Sequence, residues 1–250
     1  MTIHLNSNKK GFTLIELLIA LMLGLIVMAA IYEVYLIQQK SYTNQQAVAE
    51  MEQNLRASMF LLKREIQKAG FNPDPDDKGT LGFIEATRDI EATDNQDESA
   101  VAFTFIGDIN DDGVVSEGET DGLRYTLYTG ANGVKKLGRA TLQSSNPISF
   151  NVVEPVAENI DALDFVFFGV DGKDDVLNDD GNGGVTAGIA GIRVVEITII
   201  ARAKDADINF TDTTVYQNSQ EDTIFTPPAN DHYRRRVLTT SVECRNMGLK

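Results

Sequence analysis

Six oxygen-bearing positions stand at a chemically meaningful spacing in the stretch DINDDGVVSEGE, residues 108–119. Asp108, Asn110 and Asp112 occupy positions 1, 3 and 5, and Gly113 at position 6 permits a sharp turn. Val114 at position 7 offers its backbone carbonyl, Ser116 at 9 serves directly or through water, and Glu119 at 12 supplies a bidentate carboxylate. Hard oxygen donors in this order suit Ca2+, which takes roughly 6–8 of them. Such an ion would be structural, because without it the clustered carboxylates repel one another and the turn loosens. A solvated acidic turn is the other reading of the same residues. A further acidic stretch, Asp171 to Asn182, fits no ion-loop spacing, since Val176 stands where a glycine is needed. It reads as a surface loop, with a second ion site as the minority reading.

Glu16 is the other chemical anomaly. It is the one formal charge in the 20-residue stretch Phe12–Ile31, FTLIELLIALMLGLIVMAAI. As a helix that stretch spans about 30 Å, the thickness of a bilayer's hydrocarbon core. A carboxylate inside it costs about 2.5–3.5 kcal/mol to insert, so it requires a purpose. Lys9 and Lys10 precede the stretch and no base follows until Lys40, which keeps the N-terminus cytoplasmic and sends the bulk outside. A secretory signal peptide fits poorly: the apolar run is too long, and Met28-Ala29-Ala30 is a weak cut site. A plain signal anchor accounts for the length but not for Glu16.

The elements that must carry these groups follow from pattern. No Pro or Gly occurs from Ile31 to Ala69. Val48, Met51, Leu55, Met59, Leu62 and Ile66 recur at spacings of 3, 4, 4, 3 and 4, one face of a helix. Gly70 is a candidate C-terminal cap, with Pro73 and Pro75 enforcing the stop. A helix over residues 12–69 would be about 87 Å long. Its heptad stripe is too short for a coiled-coil stalk. Beyond Pro75 the chain turns to short β-rich runs between Gly, Asp and Asn clusters. Strands are predicted near Ala100–Phe105, Leu123–Tyr128, Lys136–Leu142, Ile148–Val153, Leu163–Phe168, Val194–Ala203 and Arg236–Val242, with a short helical piece at Val156–Asp161. The twelve-residue acidic stretch is thus flanked by strands, which predicts an EF-hand-like loop, 108–119, in a hairpin rather than between helices. The fold class is α+β: one long helix, then a mostly antiparallel sheet.

The string Lys9-Lys10-Gly11-Phe12-Thr13-Leu14-Ile15-Glu16 resembles the prepilin cleavage and methylation signal of type IV pilins and type II secretion pseudopilins. The resemblance implies cleavage after Gly11 by a prepilin peptidase and N-methylation of Phe12. It implies that Glu16 neutralises the Phe12 amine of a neighbouring subunit in a filament. It also implies the type IV pilin fold, the first half of the helix lying in membrane or filament core and the second half packing on the sheet. Asn159–Phe165, Ile192–Ile197, Arg234–Val237 and the end through Arg245-Asn246 are similar to PilW-type minor pilins. The expected organisation is a leader peptide over 1–11, a transmembrane helix segment over 12–31, its continuation on the sheet over 32–70, and a periplasmic or extracellular head over 71–250. The expected function is a minor pilin that helps initiate or cap a type IV pilus. Its partners would be other minor and major pilins, the prepilin peptidase, the inner-membrane assembly platform and the membrane itself. A type II secretion pseudopilin and a membrane-anchored calcium-binding adhesive module stay open as alternatives.

Composition narrows the field further. The chain has 250 residues, 37 acidic against 22 basic, for a net charge of -15. That excess disfavours a nucleic-acid binder, which needs a basic face. One cysteine, Cys244, rules out an internal disulfide, and two histidines leave little for histidine catalysis. Neither a nucleophile motif nor a phosphate loop is present, so no enzyme is expected. Cys244 reads as a small core residue, His232 as a surface histidine, and Arg234-Arg235-Arg236 as a run paired with local acids. Loss of the leader would remove Lys9 and Lys10 and leave 37 acids against 20 bases. Six of those acids, with no base, lie between Asp108 and Asp121.

Overall fold

A computed structural model describes residues 11–72, 81–87, 100–106, 120–131, 133–145, 148–169 and 189–247. The chain divides into two units, Met1–Gln46 and Ala47–Lys250. Helix α1 (Leu14–Ile66) begins in the first and ends in the second. Within the first unit the helix leaves its large apolar side chains uncovered from Leu14 to Ile37. It is the one helix among the described residues long and apolar enough to cross a membrane. A contiguous apolar surface of this kind calls for an environment other than water.

In the second unit the pattern on α1 changes from apolar all round to amphipathic. Met51, Leu55, Met59, Leu62 and Ile66 are buried, as their spacing predicts, and Val48 is partly covered. The helix stops three residues short of the expected Ala69 because its end tightens. The N–H groups of Lys68 and Ala69 reach back only three residues, to the carbonyls of Glu65 and Ile66. Gly70 then takes a left-handed φ of 73° and donates its N–H to the Thr104 carbonyl at 3.0 Å. The predicted cap is therefore present, and it ties the helix end to a strand.

Among the described residues eleven strands follow, numbered β1 to β11: Gly82–Thr87, Ala100–Ile106, Thr120–Thr129, Lys135–Ser145, Ile148–Phe150, Glu154–Glu158, Ile160–Phe168, Val194–Arg202, Tyr216–Gln217, Thr223–Phe225 and Arg235–Glu243. One sheet runs β1-β2-β3-β4-β5, with β6 also paired to β4. A second runs β11-β8-β7, and β9 and β10 form a small ribbon. Every pairing is antiparallel. A single core takes side chains from α1 and from both larger sheets. Phe83 of β1 bridges the sheets, its ring 6.1 Å from that of Phe103 and 6.4 Å from that of Phe167. Edge contacts of this kind add to the burial of the rings themselves.

Sequence expectation and structure part company in a few places. The helical piece expected over Val156–Asp161 is instead the end of β6 and the start of β7. Apolar residues at 156, 157 and 160 mimic a helix, but Asn159 takes a φ of 61° and breaks the run between two strands. The strand expected over Ile148–Val153 ends at Phe150. There Asn151 turns away, donating its N–H to the Thr141 carbonyl at 2.9 Å and its side-chain amide to Thr141 Oγ1 at 2.8 Å. Strands β1, β6, β9 and β10 had no counterpart in the expectation.

Candidate functional site

The start of α1 is built by four residues. The Thr13 N–H donates to Glu16 Oε2 at 2.9 Å, and the Thr13 hydroxyl donates to the same oxygen at 3.0 Å. In return the Glu16 N–H donates to Thr13 Oγ1 at 3.3 Å. This is a reciprocal capping box, Thr13 standing as N-cap and Glu16 at the third helical position. The Thr-x-x-Glu spacing of residues 13 and 16 is the local sequence signal for this box, which was not among the expectations. Phe12 is exposed, and no atom lies within 4 Å of where a Cβ on Gly11 would stand. The site therefore joins an open backbone at Gly11-Phe12 to a carboxylate held one helical turn away. What it can do chemically is present a peptide bond for cleavage and keep an acid close to the amine that cleavage would create.

The six candidate calcium ligands, Asp108, Asn110, Asp112, Val114, Ser116 and Glu119, lie outside the described residues, as does the stretch 171–182. Their frame is described. Strands β2 and β3 pair antiparallel, with Phe105 opposite Asp121 and Ile106 opposite Thr120. The strands on either side of residues 107–119 are thus paired antiparallel, so strands rather than helices flank the stretch, as expected.

Two buried ionic centres were not read from sequence. In one, the Arg235 side chain, 1% exposed, donates to Asp161 at 2.6 Å, to Asp231 at 2.7 Å and to Asp212 at 2.9 Å. The Tyr216 hydroxyl adds a bond to Asp212 at 2.8 Å. Arg234 pairs with Asp207 at 2.9 Å and Arg236 with Glu52 at 3.1 Å. The three arginines are thus paired with acids, as expected, but the middle one is the hub of a buried cluster. It binds the segment between β8 and β11, which carries Asp212 and Asp231, to Asp161 of β7. In the other centre Glu65, buried on α1, accepts a bond from the Tyr125 hydroxyl and one from Arg139 Nε at 3.1 Å. It fastens the helix to β3 and β4.

Titration of the first centre has a definite sign. Burial pushes the Asp161 carboxyl up, and Arg235 and Arg202 only partly offset this. Burial also acts on Asp212 and Asp231, but hydrogen bonds from Arg235 and from the Thr214 and Tyr233 N–H groups prevail and hold both below the usual carboxylate range. A lowered carboxyl contributes stability that is present above its unfolded value and lost as pH falls through the folded one. Asp161 contributes with the opposite sign. Asp212 and Asp231 therefore contribute stability that is lost as acid protonates them, and Asp161 works against that loss. An Asp212→Asn variant should show a shallower decline in a thermal-melting series.

Cys244 is a buried core residue, as expected, and burial pushes its thiol up to about 12. The thiolate is the reactive form. Folded protein at pH 8 should therefore stay unlabelled by a maleimide over hours and react fully in denaturant. His232 is partly buried, its Nδ1 facing the Phe210 carbonyl. Among the described residues no group of three or more His, Cys, Asp or Glu side chains is arranged to hold a metal.

With that geometry in hand the likenesses to known proteins can be placed. The whole arrangement, one long apolar helix leading onto antiparallel sheets, is a pilin-like fold. A solved structure described as a type IV-like pilin from Thermus thermophilus shares it, with a TM-score of 0.50 over 79% of this chain and 98% of that one, at 16% identity. Residues 6–32 match the family model of the prokaryotic N-terminal methylation motif, and residues 124–246 match that of the type IV pilus-assembly protein W. No curated protein matches. The chain is a type IV pilin-like protein with an N-terminal methylation motif and a PilW domain. Pilins as a family are structural subunits of the pilus processed by prepilin peptidase, and an apolar helix behind a methylation motif is the pattern of a membrane-anchored pilin.

Proposed function

We propose that this chain is a minor pilin, cut after Gly11, methylated on Phe12, and used with other minor and major pilins to initiate or cap a type IV pilus. The observation that carries the reading is the exposed apolar length of α1 directly behind the methylation motif. Before assembly, Phe12–Ile31 would stand in the inner membrane, Lys9 and Lys10 on the cytoplasmic side and the second unit in the periplasm. In the filament the same surface would pack against other subunit helices, and the second unit would face outward at the cell surface. Glu16 would exchange its bonds with Thr13 for the Phe12 amine of a neighbour, which compensates two charges in an apolar core. The PilW match favours a pilus over a type II secretion filament, whose pseudopilins share the leader and the helix.

Mass spectrometry of the protein from its native host tests this reading. A mature N-terminus at methylated Phe12 is expected. A protein that retains Met1, or begins elsewhere without a methyl group, would sink it.

Residues 108–119 are proposed to hold structural calcium. The support is the donor spacing and the antiparallel pairing of the flanking strands β2 and β3. A Kd of roughly 10⁻⁴–10⁻³ M would suffice outside the cytoplasm. Millimolar calcium should then raise the melting temperature of the full-length protein in detergent, and Asp108→Ala with Glu119→Ala should abolish that rise. An unchanged calcium response in the double variant would reject the site.

A further inference from the structure

Two tyrosines stand on α1 just where its uninterrupted apolar stretch ends. Tyr32 and Tyr35 are three residues apart and so lie side by side on the helix surface. Their rings stack on each other, with centroids 6.5 Å apart and planes 28° from parallel, and both are exposed. Around them the helix surface is mixed. Val34, Leu36 and Ile37 are exposed apolar residues, Glu33 interrupts them, and Gln38, Gln39, Lys40 and Ser41 end the run. A phenol has an apolar body and a polar tip, which suits the layer between hydrocarbon and water. Phe12, fully open to its surroundings, marks the other end of the stretch, directly behind the Gly11-Phe12 bond. The helix from Phe12 to Tyr32 rises about 30 Å, the thickness of a bilayer's hydrocarbon core.

We infer that Tyr32 and Tyr35 are the interfacial anchors of this helix. Their hydroxyls lie among the glycerol esters and phosphates of the leaflet far from Phe12, and they set the depth at which the Gly11-Phe12 bond stands at the opposite face. The inference rests on the membrane-anchored reading of α1 and goes beyond it by fixing the register. Exposed apolar residues allow one other boundary, at Ile37. From Phe12 to Ile37 the helix rises about 38 Å, more than the core can hold without tilt. That register would also sink both hydroxyls and the Glu33 carboxylate into hydrocarbon, where nothing solvates them. With the boundary at Tyr32 all three polar groups are solvated. The two rings then span about 4.5 Å of axial rise, inside one interfacial layer of roughly 5–8 Å. Before cleavage Lys9 and Lys10 hold the other face. Cleavage after Gly11 removes them, and the tyrosine pair is what then keeps the helix at its depth.

The chain has no tryptophan, so a single introduced Trp reports alone. The test uses the full-length uncut protein, single copies in phosphatidylcholine nanodiscs, with lipids spin-labelled either near the headgroup or near the chain end. Tyr32→Trp and Tyr35→Trp should be quenched most by the shallow label, Met28→Trp most by the deep one, and Gln39→Trp by aqueous iodide. With Met28→Trp as reporter, Tyr32→Leu and Tyr35→Leu combined should let the helix sink by about 5 Å, one turn, and lower the ratio of shallow to deep quenching. Cleavage by prepilin peptidase in the same bilayer should slow about tenfold, because the Gly11-Phe12 bond is carried past its face. Replacing both tyrosines by Trp should restore the cleavage rate, as the conservative exchange keeps an apolar ring with a polar tip. The inference is overturned if positions 32 and 35 are quenched chiefly by the deep label or only by iodide, or if the double Leu variant leaves both depth and cleavage unchanged. It is equally overturned if shallow quenching appears only with several copies per disc, which would assign the rings to contact between helices. A Met28→Trp reporter that no lipid label quenches would instead reject the membrane reading itself.

Discussion

Replacing Arg235 with Met should lower the stability of the second unit by about 3–5 kcal/mol, the usual cost of removing one member of a buried ionic cluster. In a domain of this size that corresponds to a fall in melting temperature of about 10 °C. The physical cause is less the lost attraction than what remains. Asp161, Asp212 and Asp231 are all buried, and each would keep its charge without the guanidinium that compensates it. Arg235→Lys should recover only a minor share, since one ammonium cannot fork toward three carboxylates as the planar guanidinium does. The variant also has a pH signature. Without Arg235 the buried Asp161 carboxyl would be raised further, and Asp212 and Asp231 would lose one of the hydrogen bonds that lower theirs. Each of these changes favours the folded variant more in acid than at neutral pH. The deficit of Arg235→Met should accordingly shrink as pH is lowered from 7 toward 4. A deficit constant across that range would mean that lost packing, not uncompensated charge, is the cause.

The second large effect is expected at Glu65. Substituting Leu leaves the fully buried Tyr125 hydroxyl without its acceptor and removes the partner of Arg139. Orphaned buried polar groups cost about 1–3 kcal/mol each, and more when charge is involved. Glu65→Leu alone should therefore cost about 3 kcal/mol, with Arg139 escaping part of the penalty because its side chain already reaches solvent. The informative comparison is the triple variant Glu65→Leu, Tyr125→Phe, Arg139→Met. It removes the whole polar set and should regain most of the loss in urea denaturation. A triple variant no better than Glu65→Leu would show that the polar set itself contributes net stability.

These two centres also mark where the sequence stops being readable. The helix was legible because its evidence is local: no Gly or Pro, apolar residues three and four apart, a Gly at its end. Most of the larger strands were legible from alternation. The capping box is equally local, Thr13 and Glu16 standing three residues apart, but the expectation did not include it. Arg235, in contrast, meets Asp212 and Asp161 from 23 and 74 residues away, and Glu65 meets Tyr125 across 60. Nothing in a linear pattern distinguishes those acids from the other carboxylates of a strongly acidic chain. A periodic face predicts that a position is buried but not that the residue there is charged, so Glu65 was passed over. Strand β6 escaped because Pro155 disguises it, and β9 and β10 because strands of two and three residues hold no period.

The end of α1 is finished by the last described residues of the chain. The Asn246 side-chain amide donates to the Gln67 carbonyl at 3.0 Å across 179 residues, and Met247 lies against Gly70 and Gly82, where an added Cβ would meet its sulfur at 2.9 and 2.8 Å. During synthesis the helix emerges first and these partners last. A nascent chain can place its apolar segment long before it can close its second unit. Completion of that unit must wait until translation has passed Met247, which separates membrane targeting from final folding in time. Contacts this distant in sequence also slow folding once the chain is complete.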